Sequence, residues 1–129
     1  MSEITIWGRK SSVNVQLVLW ALDELGLDFD RIDAGFIYGV VDTADFSRMN
    51  PNGLVPVLID GDDAPIFESA AILRYLADRY GDSDFWPENV AARAQIDKWA
   101  EWAKWNIGHA FITTVFYGLV RVPADEIDH

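Results

Sequence analysis

Cysteine is absent from the 129 residues, and with it go thiol nucleophiles, disulfides and cysteine–metal sites. Basic residues are scarce: 10 Lys and Arg against 21 Asp and Glu leave a formal net charge of −11. A chain this acidic is repelled by polyphosphate, which argues against a nucleic-acid partner. No apolar run approaches the roughly 20 residues of a membrane-spanning helix, and the N-terminus lacks a basic-then-apolar leader, so the expectation is a soluble, cytoplasmic protein with no membrane partner. Histidine is nearly absent as well. His109 sits among Ile107, Gly108 and Ala110 with no second ligand at metal spacing, and no metal site is expected. What the chain has is apolar bulk: half its residues are hydrophobic and 13% are aromatic, ample for a packed core in one domain, or one domain and part of a second.

The pattern along the chain alternates between two periods. Glu3-Ile4-Thr5-Ile6-Trp7 ends at Gly8 and reads as a strand entering a loop. From Ser12 the apolar positions Val15, Leu19, Leu22 and Leu25 recur at helical spacing, with Gly26 as the stop. Phe29–Asp33 reads as a second strand, and residues 35–50 as a long loop with one helical turn around Thr43–Arg48. Strands at 57–60 and 65–67 flank the turn Gly61-Asp62-Asp63, and a helix follows over 69–79. The residues 81–87, Gly-Asp-Ser-Asp-Phe-Trp-Pro, break the pattern and read as a linker. Beyond them Ala92, Ile96, Trp99, Ala103, Ile107 and Ala110 predict one long helix over 88–119, which Pro123 ends; residues 124–129 read as the acidic first turn of another. The order β-α-β-α-β-β-α predicts an α/β domain of thioredoxin-like arrangement over residues 1–80, followed by a helical segment over 88–129.

Two segments carry chemistry. In Asn50-Pro51-Asn52-Gly53-Leu54-Val55-Pro56-Val57-Leu58 a proline stands at the mouth of an apolar strand, where it cannot pair as an ordinary strand residue. A cis Val55–Pro56 bond turns the Val55 main chain outward; a strand-edge proline is the plainer reading. In Ile66-Phe67-Glu68-Ser69-Ala70-Ala71-Ile72 a carboxylate and a hydroxyl open a helix. Helix N-terminal N–H groups and Ser69 suit a carboxylate, and Glu68 suits an ammonium, though the pair also reads as a simple helix start.

Together these segments resemble the glutathione-binding half of the cytosolic glutathione transferases, of the theta-, beta- or nu-like bacterial kind. The resemblance continues through Ile4–Arg9, Ser12–Gln16, Ala21–Leu27 and Ala71–Leu76. It implies that Val55, beside the cis Pro56, pairs its main chain with the cysteinyl unit of glutathione, and that Glu68 and Ser69 hold the γ-glutamyl end. At Leu54 many relatives carry a donor to glutathione that leucine lacks; Asn52 and Arg9 are the substitutes nearby.

The loop Arg9-Lys10-Ser11-Ser12-Val13-Asn14 precedes the first helix. A hydroxyl at a helix N-terminus lowers a thiol's pKa from its usual value near 8.5 by stabilising the anion. The resemblance favours Ser12 for this role, with Ser11 and Asn14 as the other candidates. A serine in this place is most often only an N-cap, worth about 1 kcal/mol. With no cysteine, any sulfur chemistry comes from a bound thiol, and a thioredoxin-type redox activity is excluded.

The resemblance therefore implies a homodimeric transferase, conjugating the glutathione thiolate to a small electrophile in detoxification, or a related glutathione-dependent peroxidase or disulfide reductase. Glutathione is its co-substrate and no metal is needed. Against the family pattern, only the first long helix of the all-helical second domain is complete here. The alternative is thus a truncated glutathione-binding or dimerisation module. Trp99, Trp102 and Trp105, at i, i+3 and i+6, call for some covering partner, since large rings normally bury about 150–250 Å² each.

Overall fold

A computed structural model describes residues 3–121 and 123, so the expected acidic turn over 124–129 lies outside the described residues. The chain divides into two compact units, Met1–Trp86 and Pro87–His129.

The first unit is built on a four-stranded sheet of β1 (Ile4–Trp7), β2 (Phe29–Ile32), β3 (Val57–Asp60) and β4 (Ile66–Phe67), in the order β2-β1-β3-β4. β1 and β2 are parallel, with Ile4 opposite Phe29; β1–β3 and β3–β4 are antiparallel, with Trp7 opposite Val57 and Val57 opposite Phe67. The parallel pair requires a crossover, supplied by α1 (Val13–Glu24). Together with α2 (Ala44–Met49) and α3 (Ser69–Tyr80) this is the expected thioredoxin-like arrangement. Alternation along β1 divides the core. Ile4 and Ile6 pack with Val18 and Leu22 of α1 and Ile72 and Leu76 of α3. Trp7 points to the opposite face, where its ring meets Phe46 of α2 edge-on at 6.3 Å. The buried face of α1 is Val15, Val18 and Leu22, while the expected Leu19 and Leu25 are only half-buried.

Three local departures from the expected pattern have physical causes. The loop after β2 holds a 3₁₀ turn, Phe36–Tyr38, closed by the Gly35 N–H donating to the Gly39 carbonyl at 2.8 Å. Both glycines have positive φ, +85° and +60°, which lets the backbone reverse there. The stretch 82–86, read as linker, is folded: the Asp82 carboxylate accepts from the N–H groups of Asp84 and Phe85 at 3.1 and 2.9 Å, as in an Asx turn.

The third departure lies in the second unit. An α-helix, α4, runs only over Val90–Trp102, capped by Asn89, whose side chain accepts from the Ala92 N–H at 3.0 Å. The turns then widen to π geometry over Ala103–His109 and Ile112–Phe116 before α5 (Tyr117–Val120). Within these segments the Asn106 amide donates to the Trp102 carbonyl and the Thr113 hydroxyl to that of His109. Both occupy the acceptor four residues back, and side-chain bonding of that kind loosens the ordinary helical ladder. No residue of these helical segments is buried; Trp99, Trp102 and Trp105 are 62%, 49% and 60% exposed. His109 lies against Trp105, ring centroids 5.5 Å apart.

One buried carboxylate ties α3 to the sheet. Asp60, at the end of β3, accepts from the Tyr75 and Tyr80 hydroxyls at 2.7 and 2.6 Å, and Arg79 Nε lies 3.3 Å away. Burial, reinforced by the hydrogen bond to Asp60, pushes the Tyr75 phenol up from 10.0 to about 12. The Tyr80 phenol moves the same way for the same reasons. A phenol that keeps its proton longer when folded adds stability that is whole below pH 10 and is lost as the pH rises toward 12. Denaturant melts across that range should show stability falling. Tyr75→Phe should make the decline shallower, and an unchanged slope would exclude Tyr75 as its source.

Candidate functional site

The site forms where three chain segments converge on the end of β1. Main-chain pairing of the first two strands persists past β1, with Gly8 N–H donating to the Ile32 carbonyl at 2.8 Å and Arg9 N–H to Ala34 at 3.1 Å. Arg31 also donates to the Gly8 carbonyl, at 2.8 Å, while paired with Asp33. Gly8 is thereby fixed where side chains leave no room. A Cβ there would stand 2.4 Å from a Val15 methyl of α1 and 3.4 Å from the Val55 Cβ. The start of α1 and the segment ahead of β3 are neighbours because Gly8 separates them with backbone alone.

Ser12 caps α1. Its Oγ accepts from the Val15 N–H at a long 3.5 Å, its own N–H donates to the Arg9 carbonyl at 3.2 Å, and the residue is buried. The cap geometry uses the hydroxyl oxygen as acceptor and leaves its proton to donate. Ser11, next to it, is exposed. Asn14, the second residue of α1, reaches across the molecule: the buried Ser69 hydroxyl donates to Asn14 Oδ1 at 3.4 Å. That contact, spanning 55 residues of sequence, joins the N-termini of α1 and α3.

The Val55–Pro56 bond is cis. Both ladders to β3 begin at Val57, so the Val55 main chain lies outside the sheet pairing. Asn50 shapes the approach to it. This residue is only 2% exposed; its Nδ2 donates to the Leu54 carbonyl at 2.8 Å, and its Oδ1 accepts from both the N–H and the Nδ2 of Asn52 at 3.0 Å. Asn52, expected near a ligand, is thus tied into its own turn. Leu54 contributes a carbonyl to the same clamp and leaves its side chain 61% exposed.

At the far end of β4, Glu68 is the N-cap of α3 in a left-handed conformation, φ +72° and ψ +114°, and its side chain makes no capping bond. A non-glycine residue held there costs on the order of 1–3 kcal/mol, and such strain gathers at binding sites. The first N–H groups of a 12-residue helix and its dipole are therefore presented to anions beside a carboxylate.

Arg9 was expected only as a substitute donor. Its guanidinium lies over the Phe36 ring at 5.6 Å, and its NH1 is 3.0 Å from where a Gly35 Cβ would stand. The same point is 3.5 Å from both Val55 methyls. Sequence reasoning missed Asn50, Gly35 and Phe36 as parts of this site. For Asn50 the signal was present, since Asn at the head of Asn-Pro-Asn-Gly is an Asx-turn former. For Phe36 there was none. Among the described residues no three His, Asp or Glu side chains gather in a way that would hold a metal.

Comparison with known proteins bears on this geometry. The family described as Glutathione S-transferase, N-terminal domain, matches residues 2–78. Glutathione S-transferase GstB of Escherichia coli K12 is 46% identical over 126 residues, 97% of this chain and 60% of that protein. Glutathione S-transferase 3 of Zea mays is 35% identical over 123 residues, 94% of this chain and 54% of that protein. Among solved structures, a theta class glutathione S-transferase from Xanthomonas axonopodis pv. citri with glutathione bound superposes with a TM-score of 0.90 at 41% identity, covering 100% of this chain and 61% of the other. Ure2p in complex with glutathione gives 0.73 at 32% identity, covering 79% and 45%. The chain spans about 60% of the length of the first of these relatives.

Removing the Asn50 side chain leaves the Leu54 carbonyl and the Asn52 N–H without their buried partner. Asn50→Ala should cost about 1–3 kcal/mol in a denaturant melt. A loss under roughly 0.5 kcal/mol, the ordinary range for surface changes, would show that the clamp does not hold the Val55 segment.

Proposed function

The chain belongs to the glutathione S-transferase family, and we propose that it binds glutathione across the three converging segments and activates its thiol for attack on a small electrophile. In this reading the Val55 N–H and C=O pair with the cysteinyl unit. The start of α3, with Ser69, receives the γ-glutamyl carboxylate, and Glu68 receives the ammonium. Ser12 then lies on the sulfur side and stabilises the thiolate by donating its hydroxyl proton, aided by the positive end of the α1 dipole. Asn14, sharing its Oδ1 with Ser69, keeps the two helix starts in register. The observation that carries the reading is this convergence: a main chain outside the ladders at Val55, with α1 and α3 joined by the Ser69–Asn14 contact, in a chain whose family is defined by glutathione.

The chemistry divides simply. The chain supplies no thiol of its own, since it has no cysteine. Its work is to lower the thiol pKa and to hold the thiolate near the electrophile, where orientation alone lowers the barrier by on the order of several kcal/mol. A hydrogen bond to a charged group is worth about 1.5–3 kcal/mol, which corresponds to roughly one to two pKa units. Titration calorimetry should show glutathione binding. Ultraviolet titration of the thiolate in the complex should show Ser12→Ala raising the bound thiol's pKa by that amount. Binding with an unchanged titration would remove Ser12 from the chemistry, and an absence of binding would remove the whole reading.

We further place the working protein in the cytoplasm as a detoxifying homodimer. Support comes from the exposed faces of Trp99, Trp102 and Trp105, which a second copy would cover. Sedimentation should find twice the chain mass at micromolar concentration and the monomer after Trp99→Glu with Trp102→Glu. A wild-type monomer would overturn the dimer alone.

A further inference from the structure

Arg9 stands out by what it lacks. Acidic side chains outnumber basic ones 21 to 10, and Arg31, Arg48 and Arg79 each pair with a carboxylate. Arg9 forms no ion pair among the described residues, and its Nε is buried with no hydrogen-bond partner. A cation–π contact with Phe36, 5.6 Å from Cζ to the ring centroid, satisfies none of its N–H groups. The neighbouring backbone is unusual as well: Phe36 sits at φ +55°, and Gly35, at φ +85°, leaves NH1 room that a Cβ, 3.0 Å from it, would crowd. A guanidinium is a planar fork of donors that matches a carboxylate in two-point contact, and among the described residues no acceptor takes up this one's buried Nε–H. Lying beside the Val55 side chain, it faces the segment where the tripeptide is proposed to run.

We infer that Arg9, laid on Phe36 beside Val55, is the carboxylate-recognising residue of this site and sets its preference for anionic ligands. The inference rests on the glutathione reading above. The carboxylate has two sources, the glycyl end of glutathione or an acidic group on the electrophile. The protein's own conjugation step separates them: the thiolate attacks a ring carbon bearing chlorine, a C–S bond forms, the C–Cl bond breaks, and chloride leaves with the electron pair, the thiol proton having already gone to solvent.

Two arms test it on the wild-type chain, Arg9→Met and Arg9→Lys. In the first, calorimetry compares glutathione with its glycyl amide. In the second, turnover at saturating glutathione compares 4-chloro-3-nitrobenzoate with 4-chloro-3-nitrobenzamide. Arg9→Met should lose tenfold or more toward the carboxylate of one pair while its neutral partner changes less than twofold. Arg9→Lys, which keeps the charge but not the fork, should recover part of the loss. Selective loss in the first arm assigns the carboxylate to glutathione, and in the second to the electrophile. Equal changes for charged and neutral partners in both arms, with circular dichroism of both variants unaltered, would overturn the inference. Should the wild-type chain bind no glutathione, the reading under Proposed function falls, and Arg9 is judged separately by its Nε–H resonance titrated with 4-chloro-3-nitrobenzoate alone. A saturable shift supports its role, and an unmoved resonance overturns it.

Discussion

At Gly8 the molecule tolerates no side chain. The methyls of Val15 press in from α1 and Val55 stands on the other side, so the distance between the helix start and the cis-proline segment is one backbone thick. Everything assigned to the site follows from that closeness. Ser12 is one turn before Val15 and shares its position; Val55 brings the outward main chain; Arg9 follows Gly8 directly and inherits its direction. Because the Gly8 and Arg9 N–H groups are held by the carbonyls of Ile32 and Ala34, the closeness is set by the sheet and not by loop packing. A site built on a strand end in this way is held more firmly than one carried by loops alone.

The left-handed backbone at non-glycine residues falls in the same region. Phe36 and Glu68 have φ of +55° and +72°, and Val40, a β-branched residue for which this is a clear outlier, has +72°. Each costs on the order of 1–3 kcal/mol and persists only where surrounding structure over-determines it. For Glu68 the determinant lies at the opposite end of the same helix. Asp60 receives two tyrosine hydroxyls from the last turns of α3, while Ile72 and Leu76 seal its middle against the sheet. An α-helix so anchored transmits a fixed position to its first residue. The Glu68 conformation is thus held by core and carboxylate together, and Ile72 reaches it directly, its N–H donating to the Glu68 carbonyl at 3.0 Å.

Much of this was legible because local and global signals agree in the first 80 residues. The β1 alternation, the Ser12 cap with Val15 three residues on, and the glycine stops each act over a few residues, and the structure follows them to within a residue or two. The turn Asn50–Gly53 was legible as a turn, yet the burial of Asn50 was not, since an exposed Asx turn and a buried clamp have the same letters. Arg9 was legible as a nearby donor, but its contact with an aromatic 27 residues away was not, because that depends on where β2 ends. The helix after residue 88 was legible as a helix and misleading in its winding. Its apolar spacing marks the expected stripe, but Asn106 and Thr113 bond to carbonyls four residues back and open the ladder into π turns. Periodicity registers side-chain spacing and is blind to such competition for acceptors.

The chain's acidity poses a last question for any anionic ligand, since a net charge of −11 repels it at long range. At physiological ionic strength that repulsion is screened within about 8 Å, so it slows approach more than it weakens contact. Inside that distance the balance reverses. Two helix starts, α1 and α3, are joined by the Ser69–Asn14 contact, and the guanidinium of Arg9, near Phe36, makes no ion pair among the described residues. Dipoles and charges acting at close range in partly desolvated surroundings outweigh many exposed charges acting through water. For the ligand proposed above, selectivity would be local: the surface discourages anions in general, and the donors at the site would favour one whose carboxylates meet them.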